Sequence, residues 1–258
     1  MPSNPTRFII NLDRCPDRFR NVQNHFEEQD ITFERISAVD ARNINPKVID
    51  RFRETYSPYI PRELSSGEIA CFLSHVKCWE LIVCRQIKGA FIFEDDINLS
   101  STGIPFIRKD SWIPDNVDIC QLGASINKPH KVSFRKILHL SNGFSLTRNN
   151  TRTAVLSTVG YWISLHGAQI ALKLASQSLY GPVDHFLFDP KFDLPHTTQV
   201  WTLSPAIVFE EGSFNSTINK NQAQLNNATL PIKNQFKIWW RRKTGKLFIK
   251  TLTREIAE

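Results

Sequence analysis

The chain has 258 residues, is 41% hydrophobic with eighteen phenylalanines, and carries a net charge of +7 at neutral pH. That content excludes a disordered or low-complexity protein, and the length suits one sizeable domain, or one domain with an appendage. No stretch approaches the roughly 20 apolar residues of a membrane span and no signal-peptide pattern is present, and the five cysteines (Cys15, Cys71, Cys78, Cys84, Cys120) lack a CxxC pair; they read as reduced structural thiols of a cytosolic protein.

The charge is uneven. From Ile232 to Glu258 there are eight lysines and arginines against two acids, while the rest of the chain is close to neutral. We therefore expect a domain over residues 1–231 and a basic tail over 232–258. In the tail, Trp239 and Trp240 stand beside Arg241, Arg242 and Lys243. Tryptophans next to cations suit the headgroup layer of an anionic membrane. A basic helix docked on the body by its tryptophans, or a nucleic-acid contact, would use the same residues.

In chain order, Arg7–Leu12 reads as a first strand. Pro16 suits the first turn of a helix, and Phe19, Val22 and Phe26 continue it to about Gln29. Ile31–Val39 alternates as a second strand ending at Asp40. This β-α-β opening predicts a nucleotide-binding layer. The polar stretch 43–62, with its prolines, predicts a long excursion with one helical turn. Ser65 and Glu68 form a capping box ahead of a strong helix to Gln86, whose polar members Ser74, His75 and Lys77 stand out from a wide apolar surface. Strands are expected at Gly89–Glu94, Val117–Gly123, Ala154–Ser164 and Gln199–Phe209. A helical stretch is expected after Asp96, a hairpin or substrate loop within 128–150, a helix at Gly167–Ser178 and an Asn-rich loop at 215–227.

The stretch that organises this pattern is Gly89–Asp96, in which an apolar run ends in Glu94, Asp95 and Asp96. In open α/β sheets, ligands bind beyond the carboxyl ends of the strands. Carboxylates there suit Mg²⁺ or Mn²⁺, and such ions suit a pyrophosphate. On spacing alone, a solvated acidic turn accounts for the triplet equally well.

The surrounding motifs weigh against the bare turn. Asn11-Leu12-Asp13-Arg14 with Arg18, the helix segment Ser65–Trp79 (SSGEIACFLSHVKCW), Glu94-Asp95-Asp96, Gly160-Tyr161 with Ser164, and Pro182-Val183-Asp184 together resemble glycosyltransferase family 25, the lipopolysaccharide and lipooligosaccharide glycosyltransferases. The resemblance runs from about Phe8 to about Ile218. Ala70 stands where the family usually has glycine, and Glu210 where an amide is expected.

The resemblance implies an α/β, GT-A-like, Rossmann-type domain with a mainly parallel sheet flanked by helices. It also implies a UDP-sugar donor, typically UDP-galactose, and inversion at the anomeric carbon. In that reading Glu94 and Asp96 hold Mn²⁺ or Mg²⁺, which offsets charge on the departing pyrophosphate. Asp95 ligates the metal or binds the ribose. Asn11 and Leu12 read the base, Arg14 and Arg18 grip phosphate, and Asp40, Ser74 and His75 complete the donor site. Ser74 and His75 can equally be satisfied core residues, and the two arginines can simply flank a helix start. Asp184 is the candidate base for the acceptor hydroxyl, with Asp189, Asp193 and Glu211 as rivals. A helix N-cap is the competing account of Asp184.

The expected activity is hexose transfer to a lipid-linked lipooligosaccharide acceptor, at the inner face of a bacterial inner membrane and without nucleic acid. Two other classes fit parts of the pattern. One is a metal-dependent nuclease or phosphotransferase; the other is a carbohydrate-binding protein on a transferase fold that has lost catalysis.

Overall fold

The computed structural model describes residues 4–54, 62–124, 130–149, 155–177, 181–211 and 249–252. β1 (Thr6–Asn11) lies between β2 (Glu34–Ser37) and β3 (Gly89–Glu94), and all three strands run in the same direction. Their carboxyl ends, at Asn11, Ser37 and Glu94, therefore meet at one edge of the sheet. Beyond β3 the sheet is mixed. β9 (Gly160–Ser164) runs antiparallel between β3 and β5 (Ile119–Gln121), and β5 pairs parallel with β10 (Val200–Ser204). The hairpin of β7 (His130–His139) and β8 (Ser145–Asn149) extends this half, and β12 (Ile249–Leu252) pairs with β7. A second small sheet joins β4 (Ile97–Leu99), β11 (Val208–Glu210) and β6 (Gly123–Ala124).

Alternation along the strands builds two apolar layers. Phe8, Ile10, Ala90, Ile92, Tyr161 and Ile163 face one layer, while Ile9, Phe91, Phe93 and Trp162 face the other. The first layer is covered by α2 (Pro46–Glu54), α3 (Ser66–Cys84), α5 (Leu165–Gln177), α6 (Val183–Phe188) and α7 (Leu194–Thr197). The second is covered by α1 (Pro16–Glu28) and α4 (Ile104–Arg108). The α/β class is thus the one expected, with helices on both faces.

α3 is the central helix. Its capping box forms as the sequence predicts: Glu68 N–H donates to Ser65 Oγ at 3.2 Å and Ser65 N–H to Glu68 Oε2 at 2.8 Å. Phe72 on α3 meets Phe52 edge-on at 6.2 Å and Phe186 at 5.0 Å, and Trp79 stacks on Phe186 at 5.9 Å. Burying a ring of this size contributes about 2 kcal/mol. These contacts pin the short α6 against α3 and so fix where Asp184 stands.

Several elements differ from the sequence expectations. The excursion at 43–62 contains the nine-residue α2 rather than one turn. The second strand is only Glu34–Ser37, because Ile31 N–H is drawn to Phe26 O at the end of α1 and Val39 N–H to Ser74 Oγ. Directly after Asp96 the chain forms β4, not a helix; pairing of Leu99 with Val208 outweighs local preference, and α4 follows later. The expected strand Gln199–Phe209 is two strands, broken at Pro205, which has no N–H for a ladder. The loop at 215–227 and the tail's Trp239, Trp240 and neighbouring cations lie outside the described residues; of the tail, 249–252 alone is described. No described helix is long and apolar enough to cross a membrane.

Candidate active site

The alternation along β3 continues into its acids. Ala90 and Ile92 face α3, Phe91 and Phe93 face α1, and so Glu94 falls on the α3 side and Asp95 on the α1 side. Asp95 is buried and bound at both oxygens: Oδ2 accepts from Asn11 Nδ2 at 2.6 Å, and Oδ1 pairs with Arg18 Nη2 at 2.8 Å. The same Arg18 nitrogen also pairs with Asp96 Oδ2. Asn11 is fixed in turn, its Oδ1 accepting from Arg35 Nη2 at 2.7 Å and its Nδ2 donating to Cys15 O at 3.1 Å. Burial raises the Asp95 carboxyl above its ordinary range, with Arg18 and Asn11 opposing the shift.

Glu94 has a different environment. Its Oε1 accepts from Thr158 Oγ1 at 2.6 Å and lies 3.8 Å from His75 Nε2. Burial works against this carboxylate, but His75, Thr158 and Arg18 outweigh it and hold Glu94 below the usual range. Asp96 moves the opposite way. Burial and the charge of Glu94 push it up to about 7, Asp95 and Glu210 add to this, and Arg18 opposes. Among the described residues Asp96 Oδ1 is buried with no hydrogen-bond partner. Negative charge in excess and an orphaned carboxylate oxygen fit a hard divalent cation between Glu94 and Asp96.

At the rim, Arg14 Nε pairs with Asp40 Oδ2 at 2.8 Å, and Leu12 O closes the preceding turn on Cys15 N–H at 2.9 Å. A backbone bond from Arg42 and the Arg14 guanidinium keep the Asp40 carboxyl low. The Ser74 hydroxyl is fully used by backbone: it donates to Ala70 O at 2.7 Å and accepts from Val39 N–H at 2.8 Å. Ser74 thus ties the segment leading to Asp40 onto α3.

Asp184 is half-buried at the start of α6, behind Pro182, and His185 N–H donates to its Oδ1 at 2.8 Å. Burial raises its carboxyl, His185 opposes, and the charge of Glu94 adds to the rise, which places the two acids in one electrostatic neighbourhood. Two of its rivals are otherwise engaged: Asp189 binds His185 Nδ1 at 3.0 Å and Lys191 N–H at 3.0 Å, and Glu211 accepts from Asn21 Nδ2. Asp193 is exposed at the N-cap of α7, where its side chain makes no capping bond.

The structure also brings in residues that the sequence did not single out for the site. Thr158, just before β9, and Arg35, on β2, carry no motif signal of their own. Tyr161 is legible only as part of Gly160-Tyr161. Cys71, which the sequence suggests is a core thiol, faces the acids: burial raises it strongly, and Glu94, Asp184, Asp96 and Glu68 raise it further. Among the described residues, the group whose metal-type ligand atoms all lie within 4.8 Å of one another is Cys71, His75 and Glu94, not the acidic triplet. All five cysteines are free thiols.

A family model described as glycosyltransferase family 25 (LPS biosynthesis protein) matches residues 4–187. A Drosophila pseudoobscura pseudoobscura protein named glycosyltransferase 25 family member is 31% identical over 204 residues, 76% of this chain and 31% of that protein. Human procollagen galactosyltransferase 2 is 32% identical over 192 residues, 70% of this chain and 29% of that protein. A mouse protein named inactive glycosyltransferase 25 family member 3 is 30% identical over 198 residues, 70% of this chain and 31% of that protein. The chain therefore spans about a third of the length of these relatives. A solved glycosyltransferase involved in glycosylation of the major capsid of PBCV-1 aligns with a TM-score of 0.42 and 9% identity, over 83% of this chain and 95% of that one. By the family model's span and the identity to these relatives, the chain belongs to glycosyltransferase family 25.

Proposed function

We propose that this protein transfers a hexose, galactose before others, from a UDP-sugar to a hydroxyl of an oligosaccharide acceptor, with inversion. The observation that carries this is the meeting of opposite chemistries at the carboxyl edge of β2-β1-β3. Asn11, Arg14 and Arg18 gather there beside Glu94 and the orphaned oxygen of Asp96, with Asp184 held in the same field by α6.

In this reading Arg14, paired with Asp40, and the Asn11-Leu12 turn line the nucleotide side. Asp95 and Asn11 hold Arg18 so that its guanidinium stays beside the phosphates. Glu94 and Asp96 would hold a divalent Mn²⁺ or Mg²⁺ ion, which supplies charge neutralisation for the leaving UDP. Asp184 accepts the acceptor hydroxyl proton as the new bond forms at the anomeric carbon and the bond to phosphate breaks. Burial of Asp184 moves its proton affinity toward neutral pH, as a general base requires.

The acceptor we propose is a lipid-linked saccharide of the lipooligosaccharide type, reached at an anionic membrane surface with help from the basic tail. A hydroxyl acceptor on a collagen-like peptide is the competing case, drawn from the relatives' names. The test is a donor screen with UDP-galactose, UDP-glucose and UDP-N-acetylhexosamines, each with Mn²⁺ and with chelator, following UDP release. Release from one donor only with metal supports the reading. Stabilisation by UDP without transfer to either acceptor class would instead favour a sugar-binding protein that has lost catalysis.

A further inference from the structure

Cys71, His75 and Glu94 have the composition of a soft-metal site, and Cys71 and His75 are one helical turn apart on α3. The hydrogen bonds behind His75 decide against that use. Trp79 Nε1 can only donate, and it donates to Tyr161 Oη at 3.0 Å. Tyr161 Oη lies 2.9 Å from His75 Nδ1, and all three side chains are buried. With one lone pair of Oη taken by the indole, the phenolic hydrogen needs an acceptor, and the one placed for it among the described residues is Nδ1. The imidazole hydrogen then sits on Nε2. That nitrogen is buried, has no hydrogen-bond partner among the described residues, and lies 3.8 Å from Glu94 Oε1. A metal ligand needs a lone pair at that position, not a hydrogen.

We propose that Tyr161, set by Trp79, is a positioning residue that keeps His75 as an Nε2–H donor directed at Glu94, and that this triad is not a metal site. Thr158 and His75 then converge on the same oxygen, Oε1, and leave Oε2 as the single oxygen that Glu94 presents to a ligand. The proposal deepens the transferase reading and rests on it only for the identity of that ligand. Buried partners of this kind change metal affinity or activity by about 10–100-fold when removed.

The test is a ¹⁵N spectrum of the histidine side chains in the full chain, with His75 assigned by His75→Gln. We expect a pyridine-type Nδ1 and a pyrrole-type Nε2 at His75 in the wild type. In Tyr161→Phe the two forms should mix and Mn²⁺ affinity, read by titration without turnover, should fall by about 10–100-fold. A pyrrole-type Nδ1 in the wild type overturns the proposal. So does a thiolate-to-metal absorption band on adding Co²⁺ that disappears in Cys71→Ser, since it would make the triad a metal site. The wild-type spectrum and the Co²⁺ titration decide the matter even where Tyr161→Phe does not fold. Failure to transfer any hexose bears on the proposed function and leaves both readouts intact.

Discussion

Glu94 and Asp95 are neighbours in sequence and opposites in environment. Asp95 is sealed against α1, with one oxygen on Arg18 and the other on Asn11. Glu94 looks across the sheet to α3, where its contacts are the Thr158 hydroxyl and the more distant His75 ring. One acid is paired with a buried cation and serves the fold; the other is steered by a hydroxyl and a more distant imidazole and keeps an oxygen to offer. The difference comes from the two-residue period of a strand, which sends adjacent side chains into different layers.

The largest expected effect lies on the open side. Glu94→Gln keeps the hydrogen bond from Thr158 but removes the charge, and should lower kcat by about 10³-fold with little change in melting temperature. A steady-state assay beside a thermal melt checks both halves. A large loss of stability would mean that Glu94, too, is a structural acid. Next, Asp184→Asn should reduce kcat by about 10²–10³-fold while donor affinity holds, because a general base acts on the acceptor proton alone. UDP binding measured by titration separates this from a damaged donor site.

On the sealed side the order of consequences reverses. Asp95→Ala removes a buried carboxylate partner from Arg18 and one acceptor from Asn11 Nδ2, so it should cost about 2–3 kcal/mol in denaturant unfolding. Loss of activity without loss of stability would break the comparison.

Asp96 stands between the two regimes, and pH reveals it. Its carboxyl is raised in the folded state to about 7, so the stability it contributes is complete below the ordinary carboxylate range and is lost as pH rises through neutrality. Asp96→Asn should therefore be more stable than the metal-free wild type at pH 8, by about 1 kcal/mol, and the gap should be narrower at pH 5. Melting curves at the two pH values, without and with Mn²⁺, check the sign. A variant less stable at pH 8 would show that the pair with Arg18 dominates. Smallest of all, Ser74→Ala should cost about 1 kcal/mol by unpairing Val39 N–H, with a modest rise in donor KM as the Asp40 segment loosens.

These contrasts also mark where the sequence was legible. The β-α-β opening, the capped central helix and the strand ending in acids follow from local rules: apolar period, proline at a first helical turn, and a Ser–Glu box. The motif spacing that resembled family 25 pointed to the family the chain belongs to. Elements that depend on distant partners were misplaced. The stretch after Asp96 is a strand because Val208 waits for Leu99, and the second strand is cut short because Ser74 captures Val39 N–H. Neither partner is near in sequence, so no local pattern announces it.

The same division holds within the site. The sequence by itself determined that Asn11, Arg14, Arg18, the acidic triplet and Asp184 would be present, and that a sheet edge would collect most of them. Only the tertiary structure decided which acid is sealed and which is open, that Thr158 and Arg35 take part, and that a tryptophan and a tyrosine stand behind His75. The physical reason is that a residue's type fixes which bonds it can make, whereas burial and the partners across the sheet fix which of them it does make.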